Sequence, residues 1–207
     1  MKYLFATNNK NKVKELKLSL AGLEIISLAE LGLFFEPAET GSTFEENAIQ
    51  KVTETARFLK ENGHDPQKEN IAVLSDDSGL CVDFMGGLPG VDSANFMGRE
   101  TPYEIRNNHI ISKLNGVLEH ERTARFVCII ACLFPNGEIK TTKGVIEGLI
   151  THEIKGENGF GYDPIFYVPK YGKTTAEINP EEKNKISHRG MALKEMVGFL
   201  NENISSK

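Results

Sequence analysis

The sequence predicts a mixed α/β protein, on three observations. Short apolar runs, Tyr3–Ala6 and Ile71–Leu74, each stop at a polar segment, as buried strands do on reaching a loop. Phe44, Ala48, Val52, Ala56 and Leu59 recur at helical spacing and line one face. Two longer apolar stretches, near Ala124–Phe134 and Glu138–Ile150, flank Pro135-Asn136-Gly137, which has the chemistry of a hairpin turn.

The elements follow in order. Thr7–Lys12 is a polar loop rich in Asn, after which Val13, Leu16 and Leu20 return at helical spacing. Thr40–Thr43 is a glycine-containing turn, and Ser42 or Thr43 caps the helix running from Phe44 to about Leu59. Glu45 and Glu46 stand in its first turn, where negative charge suits the helix dipole, and Asn62-Gly63 ends it. Ile71–Leu74 leads directly into Ser75-Asp76-Asp77-Ser78-Gly79, expected as a loop at the strand end. Gly86-Gly87-Leu88-Pro89-Gly90 reads as a turn-rich loop and Pro102–Leu114 as a helix. A glycine-rich loop at Gly156–Gly161 and a last helix from about Arg189 to Asn201 complete the reading. With no repeat or long linker, residues 1–207 are expected to form a single domain.

Composition narrows the function. The chain has 207 residues, 40% hydrophobic and 26% charged, with a net charge of -5. That balance belongs to an ordinary folded protein and argues against broad binding to a nucleic-acid backbone. A small anionic ligand needs only a local cluster of cations. The three cysteines, Cys81, Cys128 and Cys132, form no Cys-x-x-Cys pair, and the last two lie in an apolar run that suits buried reduced thiols. No signal peptide or apolar span of about 20 residues is visible, so the expected compartment is the cytosol, away from any membrane.

Four segments carry residues with chemistry. Thr7-Asn8-Asn9-Lys10-Asn11-Lys12 sits between a strand and a helix, where unpaired N–H groups favour a phosphate; a solvated capping loop is the plainer reading. Its spacing is not that of a Walker loop. Asp76 and Asp77 offer the hard oxygens Mg²⁺ prefers, with Glu39 able to add another carboxylate, although Asp pairs also cap turns. Gly159-Phe160-Gly161-Tyr162-Asp163-Pro164 interleaves aromatics with glycines, suited to stacking on a base or to a bulged strand edge. Lys183 and Ser187-His188-Arg189-Gly190 supply donors ahead of the last helix, where Ser187 could equally serve as a cap.

Taken together these segments form the inventory for a magnesium nucleotide, and their order resembles that of the inosine triphosphate pyrophosphatases, which clear deaminated purine triphosphates. The resemblance runs through Ala6–Lys12, Glu39-Thr40-Gly41, Phe44–Ala48, Ser75–Leu80, Gly86–Gly90, Gly159–Pro164, Glu182-Lys183-Asn184 and Ser187-His188-Arg189. Two positions depart from it: Asn8 stands where bacterial members usually have glycine, and Asn95 where many have arginine.

The resemblance implies a long mixed sheet flanked by helices, in two lobes around a nucleotide-binding cleft, and a homodimer. It implies an enzyme that cleaves ITP, dITP and XTP to the monophosphate and pyrophosphate with Mg²⁺ as cofactor. Thr7, Asn8, Asn9, Lys10, Asn11, Lys12 and Lys51 would bind the triphosphate, and Ser78 would also bind the substrate. Glu39 and Asp77 would hold the metal, and Asp77 would accept the proton. Phe160, Gly161, Tyr162, Asp163, Lys183, His188 and Arg189 would meet the base, with Arg189 at the 6-keto oxygen. Rival readings are a pyrophosphatase for pyrimidine or other modified nucleotides and a Mg-nucleotide transferase.

Overall fold

The computed structural model describes residues 1–7, 9, 11–13, 15 and 23–205, with side chains to residue 201. Seven strands form one mixed sheet among the described residues: β1 Lys2–Phe5, β2 Ile25–Ser27, β3 Ile71–Val82, β4 Thr123–Leu133, β5 Ile139–Ile150, β6 Phe166–Val168 and β7 Lys173–Thr174. Their order is β2-β1-β3-β4-β5-β6-β7. β1 pairs parallel with both β2 and β3, Tyr3 opposite Ile25 on one side and Ala72 on the other. β6 pairs antiparallel with β5 and with β7. Residues 11–13 and 15 are helical, and the helices with both ends among the described residues are α1 Phe44–Glu61, α2 Tyr103–Lys113, α3 Pro180–Ile186 and α4 His188–Ser205, joined by short 3-10 turns.

Two compact units result. The first comprises Met1–Asp77, Cys128–Gly144 and Arg189–Lys207; the second comprises Ser78–Val127 and Val145–His188.

In the first unit strand alternation sorts the core into two faces. Tyr3, Phe5, Ala72, Leu74, Cys128, Ile130 and Cys132 pack with Ala192, Leu193, Met196 and Leu200 of α4. Leu4, Ile71, Val73, Ile129 and Ala131 pack instead with Ala48, Val52 and Leu59 of α1. Side chains on a strand point alternately to opposite faces, so a sheet covered on both sides buries every residue of such a strand. Cys128 and Cys132 lie in this core, and burial pushes both thiols up to about 12. α1 starts where expected: the Thr43 hydroxyl accepts from the Glu46 N–H, and the Glu46 carboxylate accepts from the Thr43 N–H, a capping box.

The main difference from the sequence reading concerns β3. The predicted strand ended at Leu74, whereas β3 continues through the polar segment to Val82. A hydrophobic run stops at Ser75, but the strand does not, because its acidic residues find cations on both faces. β2, β6, β7 and α3 also escaped the reading; two or three residues are too few for a periodicity, and α3 has seven.

The second unit has its own core, in which Leu80, Val82, Ile110, Leu114, Phe126, Ile150, Ile165 and Phe166 cluster. Arg122 is fully buried there. Its Nε, Nη1 and Nη2 donate to the carbonyls of Ile150, Leu114 and Thr151, each at 2.7 Å. Arg122→Met should therefore remove three hydrogen bonds, with the Leu114 carbonyl keeping a second donor, the Val117 N–H, and lower stability by about 3 kcal/mol, read from urea unfolding. A loss under about 1 kcal/mol would show that water replaces the guanidinium at those carbonyls.

Candidate active site

Asp76 and Asp77 are consecutive on β3 and so point to opposite faces. Asp76 continues the face of Ala72 and Leu74, and Asp77 that of Ile71 and Val73. Both are buried, at 2% and 4% exposure. An ionised carboxylate in such surroundings needs a counter-charge, and each acid has its own.

On the α4 face, Asp76 Oδ2 accepts from Arg189 Nη2 at 3.1 Å and Nε at 3.3 Å. Lys12 Nζ stands 3.0 Å from the same oxygen. Arg189 Nη1 also pairs with Glu15. Burial is the largest influence on Asp76 and pushes its pKa up, but Lys12, Arg189 and Lys51 together outweigh it and hold it well below the ordinary value. The Arg189 guanidinium is correspondingly held above its ordinary range: burial opposes its charge, and Asp76 leads the groups that override burial.

On the α1 face, Lys51 Nζ donates to Asp77 Oδ1 at 2.6 Å and to the Asp76 carbonyl at 3.1 Å. Glu39 Oε1 meets the same ammonium at 2.6 Å. Asn47, one turn before Lys51, donates to Asp77 Oδ2 at 3.3 Å and accepts the Gly41 N–H at 2.7 Å. Gly41 is required there, since a Cβ would lie 2.8 Å from Asn47 Oδ1 and 2.7 Å from Glu46 Cβ. Burial raises the Asp77 carboxyl above its ordinary value, with Lys51 only partly offsetting it and Glu39 adding to the rise. For Lys51, burial lowers the pKa but the three carboxylates, Asp77 foremost, raise it further.

The loop before these helices is also ordered by its own side chains. Thr7 Oγ1 accepts from the Asn9 N–H at 3.2 Å, and Asn9 Oδ1 accepts from the Asn11 and Lys12 N–H groups at 3.0 and 3.3 Å. Asn9 thus caps the turn that presents Lys12. Asn8 and Lys10 lie outside the described residues.

The second unit holds the other group. Asp163 is buried and accepts from Lys183 Nζ at 2.7 Å, the Phe160 N–H at 2.8 Å and Thr175 Oγ1 at 2.8 Å. Lys183 Nζ lies 5.3 Å from the Phe160 ring centroid. Gly159 has φ +78°, and a Cβ there would lie 2.2 Å from Asp163 Oδ2. Gly161 is half-buried in this loop at φ +69°. Ser78 is half-buried on β3. His188, 7% exposed, stacks on Phe126 with centroids 4.8 Å apart.

Two of the predicted site residues have partners within the protein. Tyr162 was expected to present its ring to a base, but it is 4% exposed, packs edge-on against Tyr103 and donates its hydroxyl to the Ser93 carbonyl at 2.8 Å. Arg189 was expected at a keto oxygen, yet its guanidinium is committed to Asp76 and Glu15, because a buried acid draws the strongest nearby donor.

Glu15, Asn47 and Thr175 were missed by the sequence reading. Asn47 and Lys51 carried a signal: polar residues one turn apart on the face that Ala48 and Val52 bury. Thr175 carried none, because its role depends on an acid twelve positions earlier.

A model of the Ham1 family matches residues 3–199. A protein of Desulforamulus reducens named dITP/XTP pyrophosphatase is 48% identical over 203 residues, covering 97% of this chain and 96% of its own. One of the same name from Bacillus subtilis is 46% identical, covering 95% and 96%. The solved Staphylococcus aureus Ham1 protein superposes with a TM-score of 0.84 at 39% identity, covering 98% of this chain and all (100%) of its own. The Coxiella burnetii HAM1 protein does so at 0.83 and 38%, covering 98% and 99%.

Asp76→Asn would leave Lys12 and Arg189 without their shared charge and should lower stability at pH 7 by about 3 kcal/mol. Native Asp76 binds its proton less tightly than the unfolded chain does, at about 3.9. Its stabilisation is thus complete above that value and declines as pH falls below it. Urea unfolding of both proteins at pH 7 and pH 3 checks this: the gap should narrow at pH 3, and an unchanged gap would exclude ion pairing as its cause.

Proposed function

The chain belongs to the Ham1 family, and on that premise we propose that it hydrolyses dITP, ITP and XTP to the monophosphate and pyrophosphate. The relatives' activity supports the reaction, and one local observation supports its place. Asp77 and Glu39 converge on a single cationic point, the Lys51 ammonium, at 2.6 Å each.

That donor set fits Mg²⁺, which takes one or two protein carboxylates and fills its shell with water and phosphate oxygens. Asp77 and Glu39 would hold it, and the bound ion would supply charge neutralisation at the phosphates. Asp77 also takes the proton of the attacking water, a task suited to a carboxyl whose proton affinity burial has raised. The water oxygen bonds to the α-phosphorus, the bond from that phosphorus to the bridging oxygen breaks, and pyrophosphate leaves with the electron pair. Lys12 and Lys51, with Thr7, Asn9 and Asn11, face the phosphates in this reading; Asn8, Lys10 and Ser78 join them on sequence grounds. Lysines near the leaving group stabilise charge that grows in the transition state.

Base recognition falls to the group organised by Asp163. Phe160 offers a ring face, Lys183 a charged donor, Gly161 and Tyr162 their backbone, and His188 a stacked imidazole. A 6-keto purine presents an acceptor to such donors, whereas adenine presents an amino group and leaves a donor unpaired. Arg189 serves in this reading to keep Asp76 ionised. The same reading carries a homodimer in the cytosol; no described helix is long and apolar enough to cross a membrane.

The test is pyrophosphate release from a panel of nucleoside triphosphates with Mg²⁺ and no acceptor. dITP, ITP and XTP should turn over well ahead of ATP, and a need for an acceptor would favour a transferase. Asp77→Asn should abolish release while keeping the fold; kcat within a few-fold of wild type would remove Asp77 from the chemistry. Lys51→Ala should weaken ITP and ATP alike, and a changed preference between them would move Lys51 to the base.

A further inference from the structure

Asn107 sits on α2 at 2% exposure. Its Nδ2 donates to the Gly161 carbonyl at 3.1 Å, while its Oδ1 is buried with no hydrogen-bond partner. A half-satisfied buried amide is a poor stabilising device, since its unpaired oxygen has lost water and gained nothing. Such groups are uncommon and call for a reason other than stability.

The neighbouring contacts supply one. Arg106, the preceding residue on α2, donates to the carbonyls of Ala94 at 2.7 Å and Gly98 at 2.8 Å, with its guanidinium over the Tyr103 ring. Tyr103 packs edge-on against Tyr162, whose hydroxyl reaches Ser93. The loop at residues 159–163 is therefore mounted on α2 at two points, the Tyr162 ring and the Gly161 carbonyl. Gly161 has φ +69° and no side chain, so nothing but its backbone can be gripped. The grip falls one residue after Phe160, whose N–H Asp163 already holds at 2.8 Å.

We propose that Asn107 is a positioning residue for base recognition, its amide fixing the Gly161 carbonyl so that the Phe160 ring and the Lys183–Asp163 pair keep the orientation that selects 6-keto purines. The inference rests on the reading above, in which this loop meets the base. It assigns Asn107 no contact with substrate. Loss of the grip lets the loop sample other orientations, so the selected substrate loses more than the rejected one. The chemistry at the α-phosphorus is unaffected.

Asn107→Leu keeps the size and removes both the grip and the buried unpaired oxygen, while the half-buried Gly161 carbonyl can turn to water. Kinetics of pyrophosphate release from ITP and from ATP, with a thermal melt of each protein, separate the possibilities. The KM for ITP should rise about tenfold with kcat within about twofold, and the ITP-over-ATP preference should narrow, without a fall in Tm. An unchanged KM overturns the proposal. So does a lowered Tm with kcat reduced equally on both substrates, the pattern of a merely structural residue. Asn107→Ser, too short to reach Gly161, repeats the measurement if the leucine variant fails to fold; failure of both would also establish a structural role and overturn it. Wild-type protein that releases pyrophosphate from no triphosphate would overturn the underlying reading as well, whereas active wild type with an unmoved variant sinks this inference alone.

Discussion

The structure depends on one constraint: two acids in succession on a strand that is buried on both faces. Strand geometry forbids Asp76 and Asp77 from sharing a partner side, so the first unit must deliver cations from two directions. α4 brings Arg189 and the capped turn brings Lys12 to one face; α1 brings Lys51 to the other. The two helices that cover the sheet are thus tied to β3 by ionic contacts at the point where their apolar packing ends.

The two acids come out differently although they are adjacent. Asp76 has two close cations and is held ionised, while Asp77 shares one ammonium with Glu39 and keeps a raised proton affinity. Environments that push neighbouring carboxyls apart divide labour between them. Asp76 is placed to organise Lys12 and Arg189 as fixed charges. Asp77, with its raised proton affinity, is the acid on which the proposed reaction rests.

Much of this was legible in the sequence, and the failures share a cause. α1, α2, the β4–β5 hairpin and the polar segments between elements follow from spacing and turn residues, which are local. The extension of β3 through Ser75–Val82 was not legible, because a run of Ser and Asp reads as loop unless Lys12, Lys51 and Arg189 are known to be near. The motif at 159–163 shows the same limit within five residues. Phe160 and Tyr162 stand in equivalent surroundings in the sequence, yet only Tyr162 is drawn into the core, by a carbonyl 69 positions earlier. Arg189 could be recognised as a directional donor, but whether it faces an acid or a ligand is a tertiary fact.

Three buried polar residues of the second unit differ in how completely they are satisfied. Arg122 finds a carbonyl for each of its three nitrogen groups, which is what a residue retained for stability should do. Asp163 likewise fills both its oxygens, from Lys183, Phe160 and Thr175, and so holds a charged donor rigidly beside an aromatic ring. Asn107 stops halfway, with a used donor and an idle acceptor. An apolar residue of the same size would serve the fold at least as well. What such a residue could not do is hold the one group that Gly161 offers, its carbonyl, and a loop that carries Phe160 has no other handle at that position.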